Sequence, residues 1–167
     1  MVSQYARQRQ SDFPGLILWV PAFGVHYSRL RPPDGATLIR TGQILIDSYE
    51  NLSASSRSDG FIAAKTADER VVHAASLPFL LRLGSWGFSW HWHGSKLRMP
   101  LLMQLAEKDR AICNVAAQRV FAAAPASDKQ LVVWPQARHT IFWDPVAPQT
   151  VDFTVNWMRQ RATSRTS

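Results

Sequence analysis

Pro100-Leu-Leu-Met-Gln-Leu-Ala-Glu-Lys-Asp109-Arg110 and Leu131-Val-Val-Trp-Pro-Gln-Ala-Arg-His139 are the two stretches that decide the fold. In the first, an apolar strand from Pro100 to Leu105 runs into an acidic turn. In the second, a strand from Leu131 to Trp134 runs into a short loop ending in histidine. An acid and a histidine delivered to the carboxyl ends of neighbouring parallel strands have the geometry in which a carboxylate orients an imidazole for general-base work. Parallel strands lie about 4.8 Å apart, and each residue leaves its strand within about five positions, so the side chains can touch. Singly they say less: Asp109 either reaches the crevice above the sheet or caps the next helix, and a lone loop histidine is equally an exposed one. No G-x-S-x-G nucleophile turn occurs in the 167 residues.

Outward from this pair, strand and helix alternate. A helix is expected from about Asn114 to Ala124. Another is expected from about Pro148 to Arg161, where Val151, Val155 and Met158 fall at i, i+4 and i+7 as a buried stripe that Trp157 widens. At the other end, residues 2 to 10 suit a helix, Ser11 to Gly15 break it, and Leu16-Ile-Leu-Trp-Val20 is an apolar run closed by Pro21, as for a strand buried on both faces. Such alternation calls for a parallel sheet flanked by helices, an α/β fold. Between Gly24 and about Arg98 the character changes. Arg31-Pro-Pro-Asp-Gly35 is a turn, Ser53 to Gly60 a polar linker, and Val71 to Leu83 an apolar-faced lid helix or simple packing. This stretch reads as an insertion without sheet.

Composition narrows the class. An apolar fraction of 46% with seven Trp and eight Phe supports a real core. The formal charge is +7, with fifteen of nineteen basic residues Arg, yet only Arg159, Arg161 and Arg165 cluster and no aromatic–basic alternation marks a groove. No specific nucleic-acid binding is expected. One cysteine, Cys113, excludes an internal disulfide framework and fits a reducing compartment. No apolar run approaches the ~18 residues of a spanning helix, and Met1 to Gln10 is polar, so the chain reads as soluble and cytoplasmic.

Three other features could carry chemistry. Gly87-Phe-Ser89-Trp-His91 echoes a nucleophile turn but lacks the final glycine. His91 and His93 are two apart and could share a metal if extended, without a third ligand cluster; a tryptophan-rich surface facing substrate is the other reading. Cys113 stands at the mouth of a helix, as a stabilised thiolate or a small buried filler.

The segment Arg98 to Arg110, followed by Lys129 to His139, resembles the acid and histidine motifs of α/β-hydrolases of the serine aminopeptidase/monoacylglycerol lipase type, also called lysophospholipase-like. In that family an acid follows one late strand and the histidine the next, with a Trp-containing C-terminal helix behind them, as Trp157 stands here. Pro14-Gly-Leu-Ile-Leu-Trp-Val-Pro-Ala-Phe23 looks like the strand after the nucleophile helix, and Met1 to Arg7 like that helix itself. Residues 1–24 would then be core helix and strand, 25–98 a mostly helical cap, and 99–167 the C-terminal core. The family's glycine before the acid turn is Ala106 here. The nucleophile serine, its flanking glycines and the oxyanion loop would all precede Met1.

The resemblance implies cleavage of carboxylic esters with hydrophobic acyl groups. A serine outside these residues would attack the carbonyl, His139 would take and return its proton, and Asp109 would hold the tautomer. No cofactor or metal is called for. The apolar wall would come from Trp86, Trp90, Trp92 and the Leu77 to Leu83 segment. Without the serine the pair has no acyl-accepting atom to activate, so the chain alone is expected to be inactive. The alternative is a non-catalytic protein binding a hydrophobic ligand or a partner chain, and a weaker third is a basic accessory protein holding acidic partners. A missing first half would uncover a sheet edge and favour self-association.

Overall fold

The structure, a computed structural model, describes residues 2–26, 30–31, 35–46, 52–70 and 74–163. Helix α1 (Val2–Gln8) leads through a 3-10 turn to strand β1 (Leu16–Trp19). Strand β5 (Leu101–Ala106), helix α5 (Asn114–Ala123), strand β6 (Lys129–Trp134) and helix α6 (Ala147–Thr163) follow late in the chain. The three strands form one parallel sheet in the order β1-β5-β6. Leu16 registers with Leu101, and Leu101 with Lys129. β5 is central, and all six of its residues are buried. β1 alternates, Leu16 and Leu18 buried with Ile17 and Trp19 partly so, rather than being fully buried on both faces as its apolar run suggests; among the described residues its strand neighbour is β5.

The core joins Leu16, Leu18, Phe23, Trp90, Leu101, Met103, Leu105, Ala117 and Val120. Gln10 ties the N-terminal helix to the chain entering β5: its Oε1 accepts from the Arg98 and Met99 N–H groups at 2.7 and 3.2 Å, and its Nε2 donates to the Lys96 carbonyl at 2.9 Å.

Between β1 and β5 lie β2 (Leu30–Arg31), α2 (Gly35–Thr41), β3 (Gln43–Ile46), α3 (Asp59–Ala67), β4 (Ala74–Ser76) and α4 (Leu77–His93). The expectation of no sheet here is corrected: β2, β3 and β4 form an antiparallel sheet in that order. These strands are only two to four residues long, too short for period-two alternation to show against the surrounding turns. Gly42, at φ +63, ends α2 in the left-handed conformation that frees the chain to enter β3. The lid helix is also displaced. It starts at Leu77, where the Ser76 hydroxyl accepts from the Phe79 N–H, and it continues to His93. Of the expected turn and lid helix, residues 32–34 and 71–73 lie outside the described residues, as does Arg165 of the basic tail.

Candidate active site

The loops leaving β5 and β6 are stitched together. Glu107 N–H donates to the Trp134 carbonyl at 3.1 Å and Lys108 N–H to the Ala137 carbonyl at 2.9 Å, while the Glu107 carboxylate accepts the Gln136 N–H at 2.8 Å. That N–H and then the Lys108 ammonium hold the Glu107 carboxyl below its usual range. Pro135-Gln136 forms the corner of a tight turn, with Gln136 at φ 59 and Ala137 N–H returning to the Trp134 carbonyl. The Asn114 amide donates to the Ala106 carbonyl at 2.7 Å, closing the end of β5 against α5.

This stitching brings Asp109 and His139 together, Oδ2 to Nδ1, at 2.9 Å. The aspartate side chain is fully buried and the imidazole 31% exposed. The other carboxylate oxygen, Oδ1, accepts two backbone N–H groups, from Ala111 and Ile112, each at 2.8 Å. A carboxylate so held accepts from Nδ1–H, which leaves Nε2 as the basic nitrogen. Antiparallel contact supports the turn from below: Val25 bridges Ile112, and Cys113 N–H donates to the Gly24 carbonyl at 2.9 Å. Gly24 is required there, since a Cβ would stand 2.8 Å from the Ala116 Cβ.

The remaining candidates do not join this pair. Ser89 lies in the last third of α4 with its hydroxyl donating to the Trp86 carbonyl at 2.7 Å, so it is on a helix and not on a strand-to-helix turn. His91 and His93 also lie on α4, where residues two apart point in widely different directions. The side chain of His91 lies outside the described residues. Burial, then the charges of Arg7 and Lys96, pushes the His93 imidazole down toward its neutral form. Cys113 is half-buried at the N-terminus of α5 and makes no side-chain cap. The expected apolar wall is divided: Trp90 is fully buried in the core against Phe23, Trp86 is partly buried beside it, and Trp92 is exposed. A cleft of about 510 Å³ beside the acid turn is instead polar, lined among others by Arg57, Lys108, Asp109, Arg110 and Arg138.

Two residues that sequence reasoning did not single out lie next to the histidine loop. Asp144 is buried and receives Arg57 Nη2 at 2.6 Å. Burial pushes its carboxyl up, but the hydrogen bonds and charge of Arg57, with the Arg138 and Arg57 backbone N–H groups, outweigh this and hold it below the usual range. The partners are 87 residues apart, so no local pattern signals the pairing.

Parallel strands with helices on the sheet, and an acid and a histidine at adjoining strand ends, define an α/β-hydrolase type of protein. A family profile described as serine aminopeptidase, S33, matches residues 1–146. The chain belongs to that family. Among solved structures it is similar to a soluble variant of monoglyceride lipase from Saccharomyces cerevisiae in complex with a substrate analog, at a TM-score of 0.75 and 15% identity over 96% of this chain and 61% of that one. The monoacylglycerol lipase of Paleococcus ferrophilus gives 0.72 and 18%, over 96% and 64%. One structure described under the metagenome-derived lipolytic enzymes LipS and LipT gives 0.65 and 14%, over 95% and 60%. The chain therefore spans less than two thirds of each. No curated protein matches the sequence.

Proposed function

We propose that these residues are the acid–base part of a serine hydrolase that cleaves carboxylic esters of hydrophobic acyl groups, monoacylglycerols or lysophospholipids among them. The observation that carries this is the 2.9 Å contact between a fully buried Asp109 and a partly exposed His139 at adjoining strand ends. His139 Nε2 takes the proton of the attacking serine and returns it to the leaving alcohol. Asp109 holds the tautomer and stabilises the imidazolium. The serine and the oxyanion donors come from polypeptide other than these 167 residues, and the chain by itself is inactive. Residues 25–98 act as the cap, with Trp92, Phe88 and Leu81 among its exposed apolar side chains. A cytoplasmic setting fits the single cysteine, and no helix among the described residues is long and apolar enough to cross a membrane.

The test is ester hydrolysis by the native protein with His139→Ala and Asp109→Asn. Each should lower kcat on the order of 10⁴-fold while leaving KM within a few-fold. Retention of wild-type kcat by either variant would remove the assignment. A second reading, a non-catalytic partner-binding protein, draws on the apolar groove of about 380 Å³ formed by Pro14, Ile17, Val155, Trp157 and Met158 beside the β1 edge. A native protein of unaltered mass that hydrolyses no ester, with a partner seated on that edge, would favour it.

A further inference from the structure

His139 is gripped on both sides by a segment more than eighty residues earlier. On one side, Arg138 donates through Nη1 to the Ser53 carbonyl and to the Ser56 carbonyl, the latter at 3.1 Å. On the other, Thr140 donates to the Ser55 carbonyl twice, through its N–H at 2.8 Å and its hydroxyl at 2.7 Å. Further along, the buried hydroxyl of Ser56 donates to the Trp143 carbonyl at 2.8 Å and accepts from the Ser58 N–H at 3.0 Å. Phe61 stacks on Trp143 with ring centroids 6.0 Å apart.

At the centre of this contact is one ion pair. Asp144 has a fully buried side chain, and both of its oxygens are engaged: Oδ1 by Arg57 Nη2 at 2.6 Å and Nε at 3.2 Å, Oδ2 by the Arg57 and Arg138 N–H groups at 3.3 and 3.4 Å. A carboxylate buried this deeply is strongly disfavoured unless its cation stays in place. Removing Arg57 therefore leaves an uncompensated charge inside the loop that carries the imidazole. The loop then relaxes toward water, and His139 moves with it, because the backbone N–H groups of Arg57 and Arg138 share the Asp144 carboxylate.

We infer that Arg57 and Asp144 are positioning residues, whose ion pair pins the 53–57 segment to the 138–144 loop and so holds the His139 imidazole on Asp109. This rests on reading Asp109 and His139 as the acid–base pair. It adds that displacement of the 53–57 segment, which belongs to the region between β1 and β5, unseats the base.

The experiment is NMR on the native protein labelled with ¹⁵N-histidine, reading the His139 Nδ1–H proton, its exchange with water and the ring tautomer. The wild type should show a protected Nδ1–H resonance, and Asp109→Asn should lose it. Arg57→Gln and Asp144→Asn should lose it or mix the tautomers. Arg57→Lys, which keeps the cation and serves if the other variants do not fold, should retain the resonance with exchange several-fold faster. A purely structural role would lower thermal stability in these variants and leave the resonance of the folded protein untouched. Unchanged exchange in Arg57→Lys, or an unchanged resonance in folded Arg57→Gln, overturns the inference while leaving the acid–base pair standing. Absence of the resonance in the wild type would instead sink the pair, and the inference with it.

Discussion

Asp109 uses its two oxygens for two tasks. Oδ1 closes the turn through the Ala111 and Ile112 N–H groups, and Oδ2 faces His139, so one carboxylate both closes the turn and meets the imidazole. That pair was legible because each member stands a few residues past an apolar strand. Asp144 was not, because its partner Arg57 sits in a polar stretch, Ser53 to Gly60, that composition marks as a linker although Ser55 and Ser56 are buried. The depressed carboxyl of Asp144 has a consequence for acid stability. Its folded pKa lies below its unfolded value, about 3.9, so its contribution is fully present above that value and is lost as pH falls through the folded pKa. The stability gap between wild type and Asp144→Asn in urea melts should thus be widest near neutral pH and shrink below about pH 4. A gap that stays constant with pH would remove the ionised carboxylate from the account.

Among the elements, α6 is where hydrophobic periodicity selects the wrong face. Val151 and Met158 are 44% and 52% exposed, whereas Thr150, Thr154 and Trp157, also at i, i+4 and i+7, are buried. The reason is Gln104, fully buried in the otherwise apolar β5, which needs polar partners. It finds them in Thr154, whose hydroxyl accepts from Nε2 at 2.6 Å, and in Trp134, whose indole N–H donates to Oε1 at 2.7 Å. Thr154 in turn donates to the Thr150 carbonyl at 2.7 Å. Replacing Thr154 by Val takes the acceptor from the buried Gln104 Nε2 and should cost about 1–3 kcal/mol in chemical denaturation. Val151→Thr, on the exposed face, should stay within about 0.5 kcal/mol of wild type. The reverse ranking would mean that the apolar stripe is the buried one after all. Strands β1, β5 and β6 and helix α5 were legible to within about two residues, since apolar runs bounded by turn formers mark them there. The small β2-β3-β4 sheet was not.

For the whole molecule, the sheet and the pair belong to a fold whose solved relatives are longer than this chain. Helix α6 presents Val155 and Met158 to a groove with Pro14 and Ile17, alongside β1, whose one described strand neighbour is β5. The most direct measurement is labelling of the native protein with an acyl-site fluorophosphonate, followed by intact mass and peptide mapping. The predicted result is a single label on a serine outside these 167 residues, on a polypeptide heavier than 18.8 kDa, and its loss on prior His139→Ala substitution. A native mass of 18.8 kDa with no label, or a label on Ser89, would contradict it.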